Sequence, residues 1–222
     1  MEIVTVCGMS YADFVIHRMA EVRRADLLVF SFGAVETIDF RKEIKGDDGV
    51  FADLCTLSYD LNCAVLCGAG TDVFGVKHKS VVVADKGRLV DVSDQITNYN
   101  VQITNKDNSA SFAISHLPFP ICKAYDTSAG KIGIIADNDI MRPKSAEELA
   151  LQGAQLIVAV ADKPVDNSVI LAARAAGLYN GVPVLFAAKD YVMLSDGSGE
   201  VKFAGHSTLN AFSLGIAQTQ TG

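Results

Sequence analysis

Two carboxylates stand where an apolar run stops. Residues 132–136 are continuously apolar, and the run A-D-N-D (136 to 139) that closes them puts Asp137 and Asp139 two positions apart, with Asn138 between. An aspartate just beyond a strand can serve as a nucleophile, and two carboxylates at i and i+2 could hold one hard cation. Arg142, immediately before Pro143, is placed to line the mouth of such a site or to pair with one of the acids.

Other chemistry-bearing residues are weaker candidates. GAGTDVFG (68 to 75) begins like a dinucleotide-binding loop, but hairpin sequence follows it and not the helix whose N-terminus would hold a pyrophosphate, so a glycine-rich turn is expected. His17, His78, His116 and His206 are dispersed without metal-ligand spacing, so neither a metal nor another cofactor is expected. The five cysteines, at 7, 55, 63, 67 and 122, show no C-x-x-C pair, and most lie in apolar segments. They read as small hydrophobes with reduced thiols.

The elements around these residues follow from periodicity. Residues 1–7 and 25–31 are short apolar runs, as strands covered on both faces should be. Between them Ser10 caps a predicted helix in which Phe14, Val15, Met19 and Val22 recur at helical spacing up to Arg24. A helix over 50–62 leads to a strand over 63–69, then to a hairpin of 76–84 and 88–92 around the turn D-K-G. Residues 93–115, rich in Asn, Thr, Ser and Asp, predict a long exposed connection. A helix over 145–152 opens on the S-x-x-E pair of Ser145 and Glu148, and a helix over 167–178 separates strands at 156–161 and 182–188. Hairpin material around SDGSGE follows. Helices alternate with strands but hairpins intervene, which predicts mixed sheets.

Composition sets outer bounds. The chain has 222 residues, is 50% hydrophobic and lacks Trp, enough to bury a sizeable core as one large domain or two small ones. Its net charge of -7 repels a phosphate backbone, so nucleic acid is a poor partner. The longest apolar stretch, 156–161, is far below the roughly 20 residues of a membrane span, and the first residues lack a basic region ahead of an apolar one. No membrane partner and a cytoplasmic location are expected.

The segment 130–158 carries a specific resemblance. Gly133, Asp139, Pro143, Leu149, Ala150, Gly153 and Ala154 fall where the carbon-nitrogen hydrolase, or nitrilase, superfamily has G-x-x-x-C-x-D, Pro and a helix ending L-A-x-x-G-A. Asp126, Thr127 and Gly130 resemble the turn before that strand. ADLLVF (25 to 30), the hairpin at 80–95 and RAAGLYNGVPVLFAA (174 to 188) resemble other family segments in the same order. The resemblance implies a single domain over 1–222, a four-layer α-β-β-α sandwich of two similar halves with two mixed sheets and helices outside. It also implies a homodimer or higher homo-oligomer formed through helices such as those at 145–152 and 167–178.

The family's Glu-Lys-Cys triad does not carry over. Its Cys position is Asp137, its Glu position Phe32 and its Lys position Gln95. A carboxylate is a far weaker nucleophile toward an amide than a thiolate, Phe32 moves no proton, and Gln95 brings a donor without a charge. The pocket neighbours would be Asn138, Asp139, Arg142 and Lys189. Candidate substitutes are Glu36 for the acid, Cys122 for the nucleophile, and Lys79, Lys106 or Lys189 for the cation. The reading favoured is a non-hydrolytic protein that binds a small molecule or a partner; the alternative is an active hydrolase with displaced groups. A third reading notes that strand followed by D-x-D also resembles haloacid-dehalogenase-type phosphatases, although Met141 stands where that motif has Thr or Val.

Overall fold

The computed structural model describes residues 1–46, 49–96, 104–105, 108–109, 122–162 and 164–215. The first half contains β1 (Glu2–Val6), α1 (Tyr11–His17), β2 (Leu27–Phe30), β3 (Ile38–Asp39), α2 (Phe40–Lys45), α3 (Val50–Leu61), β4 (Ala64–Val73), β5 (Val76–Asp85) and β6 (Arg88–Asp94). A small ladder pairs β7 (Thr104–Asn105) with β8 (Asn108–Ser109). The second half contains β9 (Ala124–Thr127), β10 (Gly130–Ala136), a 3-10 turn over Asp137–Met141, α4 (Pro143–Leu151), β11 (Leu156–Val160), α5 (Asn167–Asn180), β12 (Val184–Ala187), β13 (Val192–Ser195) and β14 (Val201–Gly205). The last strand, β15 (Leu209–Ser213), returns to pair with β1.

Each half repeats one wiring. In the first sheet, ordered β15-β1-β2-β4-β5-β6, strands β1, β2 and β4 are parallel and β5 and β6 fold back antiparallel. In the second, ordered β14-β13-β12-β11-β10-β9, strands β10, β11 and β12 are parallel and β13 and β14 antiparallel.

The period of two along each strand sorts the apolar residues into three layers. Ile3, Leu27, Val29, Leu66, Val81 and Val83 of the first sheet meet Ile132, Ile134, Leu156, Val158 and Leu185 of the second in a shared core. Their alternates Val4, Leu28, Phe30, Val65 and Val82 pack under Phe14 of α1 and Leu54, Leu57 and Leu61 of α3. Ile135, Ile157, Ala159 and Phe186 do the same under Leu149 of α4 and Ala173 of α5. The result is the expected α-β-β-α sandwich of two mixed sheets with helices outside. Among the described residues no helix is long and apolar enough to cross a membrane.

Several boundaries differ from expectation. The predicted helix of 10–24 stops at His17 and continues as a 3-10 turn over Met19–Val22, because the chain must bend at once into β2; the Ala25 N–H donates to the Val22 carbonyl at 3.0 Å. Helix α4 starts at Pro143, whose missing N–H suits the first turn, and the Ser145 hydroxyl is buried inside it instead of capping it. The glycine-rich run at 68–75 is not a turn over its length. Through Val73 it belongs to β4, and only Phe74 and Gly75 turn the hairpin. Of the predicted connection 93–115, Ser93 and Asp94 extend β6, and most of the remainder lies outside the described residues.

Candidate functional site

Parallel strands deliver the residues at their C-terminal ends to one edge of a sheet, where α/β proteins build sites. Here β2 ends toward Phe32, β10 toward Asp137 and β11 toward Asp162. The antiparallel arm supplies the rest. On β5, Lys79 alternates with Val81 and Val83 and so faces the other sheet, and Gln95, just past β6, donates its backbone N–H to the Lys79 carbonyl at 2.7 Å. Phe32, Thr37, Gly70, Thr71, Lys77, His78, Lys79, Gln95 and Asp162 line a cleft of about 370 Å³.

An ion cluster backs it: Lys79 and Asp162 line the cleft, and Asp137 lies behind them, outside the lining. The Lys79 Nζ stands 2.8 Å from Asp162 Oδ2 and 3.6 Å from Asp137 Oδ2. Asp137 is only 2% exposed, and its Oδ1 accepts the Asp162 backbone N–H at 3.1 Å. Burial works to lower the Lys79 ammonium, but the hydrogen bond and charge of Asp162 and the charge of Asp137 outweigh it, so Lys79 is held above the ordinary lysine value. Asp137 also carries φ of 49°, a left-handed conformation that aspartate tolerates better than most side chains and that concentrates at functional positions. The turn after β10 thereby aims a buried carboxylate at the cation.

Phe32 forms a wall without closing the cleft. It is 4% exposed and joins the shared core. Gly68 makes room for it: a Cβ there would stand 2.8 Å from both the Phe32 ring and Val160 Cγ1. His78, which precedes Lys79 on β5 and also lines the cleft, has a buried Nδ1 with no hydrogen-bond partner among the described residues.

The remaining sequence candidates separate. Asp139 does not point with Asp137 at a common ion. Its Oδ2 accepts the Ile96 N–H at 2.6 Å and its Oδ1 lies 3.5 Å from Arg142 Nε, so the two carboxylates have different partners and the phosphatase-like pairing is not formed. Arg142 therefore pairs with an acid and does not line the cleft. Asn138 is half-buried in the same turn and is likewise outside the lining. Lys189 follows β12, with β11 between it and β10, and is exposed; among the described residues the lysine paired with Asp137 is Lys79. Glu36 is exposed on its loop. Lys106 lies outside the described residues.

Cys122 is not on a strand. It is buried against the α4 and α5 layer, and burial pushes its thiol to about 11 despite an opposing hydrogen bond from Ser145. Burial likewise raises Cys7 to about 11 and Cys63 and Cys67 to about 12, and it raises Cys55 as well. Every cysteine of the chain is thus a protonated thiol near neutral pH.

Asp162 had no place among the sequence candidates, nor did Thr37 and Lys77; Thr71 was read as part of a glycine-rich turn and His78 as a dispersed histidine. One signal pointed to Asp162: like Asp137, it directly follows an apolar strand, and the two strands are neighbours.

No protein-family model matches the sequence, and no curated protein matches it. Solved structures do. A mutant of the amidase from Nesterenkonia sp. AN1, with the acetamide moiety of fluoroacetamide added at its active-site cysteine, superposes with a TM-score of 0.72 at 14% identity, covering 96% of this chain and 90% of that one. Another mutant of the same amidase, in complex with butyramide, gives 0.72 at 14% identity over the same shares. A carbon-nitrogen hydrolase from Helicobacter pylori G27 gives 0.67 at 14% identity, covering 95% of this chain and 87% of that one. The fold is that of the nitrilase superfamily.

Proposed function

We propose that this chain, built on the carbon-nitrogen hydrolase fold, is a non-hydrolytic protein that binds a small polar molecule in the Lys79 cleft. The observation that carries the reading is the ion cluster: where the resemblance puts a nucleophilic thiol stands Asp137, buried and ion-paired with the Lys79 that it shares with Asp162. An ion-paired carboxylate is a poor nucleophile toward an amide, and Phe32 offers no proton. Fold alone does not supply an activity. The cleft is better equipped for recognition. Lys79 keeps a third N–H beyond its two carboxylates, Asp162 an acceptor oxygen, Gln95 a carboxamide and Thr37 a hydroxyl, beside the aromatic wall of Phe32. Small neutral amides match that set.

The test is an ammonia-release screen over amides, nitriles and carbamoyl compounds, beside a variant carrying Asp137→Cys, Phe32→Glu and Gln95→Lys. The unmodified chain is expected to release no ammonia above buffer, while butyramide shifts the backbone NMR signals of Gln95 and Lys79. Turnover by the unmodified chain that disappears on Asp137→Ala would sink the proposal. That outcome would establish the second reading, hydrolysis by displaced groups, which the convergence of Lys79 and Asp162 on Asp137 favours.

The partner we propose is a second copy of the chain. Helices α4 and α5 pack together and leave Leu151, Leu171, Leu178 and Tyr179 exposed on the outer layer. Gel filtration is expected to give at least a dimer, and Leu171→Glu with Leu178→Glu a single-chain mass. A single-chain mass for the unmodified protein would contradict it.

A further inference from the structure

The second feature of the site is a grip on one peptide unit. Ile96 leaves the first sheet just after Gln95, yet its side chain packs on the α4 and α5 layer of the second half. Both polar groups of its backbone are held there: the N–H donates to Asp139 Oδ2 at 2.6 Å, and the carbonyl accepts from Arg142 Nη2 at 3.4 Å. Arg142 Nε, 3.5 Å from Asp139 Oδ1, ties the two jaws together. The neighbouring residue, Gln95, lines the cleft.

We propose that Asp139 and Arg142 form a two-point clamp on the Ile96 peptide, which sets the position of Gln95 on the cleft wall and loosens as the pH rises. The Asp139 side chain is 3% exposed, so closing the clamp takes a carboxylate out of water. Burial accordingly raises the carboxyl from 3.8 to about 6; the Ile96 N–H and Arg142 offset part of the rise and the Asp137 charge adds to it. Arg142, which is half-buried, is the cation that faces Asp139. Among the described residues, the other charged or titratable groups that act in this cluster are Asp137, itself held by Lys79 and Asp162, then Cys122 ahead of β9 and Glu148 on α4.

The sign follows from linkage. The closed clamp binds the Asp139 proton more tightly than an open, solvated one with the ordinary value of 3.8. Closure is therefore fully favoured below that value, weakens as the pH climbs toward about 6, and is constant above it. A difference of about two units allows up to ~100-fold in the opening equilibrium. The inference concerns the same cleft as the binding proposal, but its readout is the backbone, so either can fail without the other.

Native-state amide exchange of the whole chain, followed by NMR from about pH 4 to about pH 8, measures it. The Ile96 protection factor is expected to fall with pH by up to ~100-fold and level off above about pH 6, while that of Val158 in the shared core does not follow. Asp139→Asn keeps an acceptor for the Ile96 N–H and removes the titration, so its Ile96 protection should not vary with pH. A flat profile in the unmodified chain, the same slope in Asp139→Asn, or a parallel fall at Val158 would each overturn the clamp. The profile of the unmodified chain decides the matter even if the variant does not fold.

Discussion

Replacing Lys79 with Met is expected to destabilise the chain by about 2–3 kcal/mol at neutral pH, read as a lowered midpoint of urea unfolding. Removing one partner of a buried ion pair strands the other as an uncompensated charge, and Asp137 at 2% exposure has almost no access to water. The figure sits below that of a wholly buried pair because the Lys79 side chain is 33% exposed and solvent already screens part of the attraction. Asp137→Asn in the same chain should recover most of the loss, since a neutral amide can stay buried and still accept the Asp162 N–H. The double-mutant cycle then isolates the coupling. Stability within about 0.5 kcal/mol of the unmodified chain for Lys79→Met would show that the cluster is not what holds Asp137 in place.

Phe32→Ala is expected to cost more, about 3–4 kcal/mol, because it removes a buried ring from the core between the sheets and leaves a void beside Gly68 and Val160. The same ring is a wall of the cleft, so the variant should also enlarge the binding space and weaken selection among small ligands. Calorimetric unfolding measures the first effect, and competition among amides of increasing size the second. A loss below about 1 kcal/mol would mean that the site collapses freely around the missing ring.

These two residues also show how far the sequence can be read. Phe32 and Gln95 were marked by the resemblance, through a strand-end position and a hairpin with a D-x-G turn, and both line the cleft. Asp137 was legible as the residue after β10 for the same reason. Its surroundings were not. Among the three lysines considered, Lys79 is the one at Asp137, and nothing local distinguishes it. It reaches the site because β5 pairs antiparallel with β6, which puts residue 79 across from residue 95, and because the two sheets stack face to face. Asp162 was missed because a single acid after a strand has no motif. Asp139 and Asp137, two residues apart, suggested one shared ion. The 3-10 turn sends the first to Lys79 and the second to Ile96.

By itself the sequence determined the layered fold, since strand and helix periodicities are short-range properties of which residues exclude water. It also led to the expectation that Phe32, Gln95 and Asp137 stand at the three positions the resemblance marks for catalysis. Only the tertiary structure decided which charges surround Asp137. Charge neutralisation acts through space over a few ångströms, and Lys79, Asp137 and Asp162, dozens of residues apart in the chain, come within that range only when the ends of β10 and β11 meet the arm of β5.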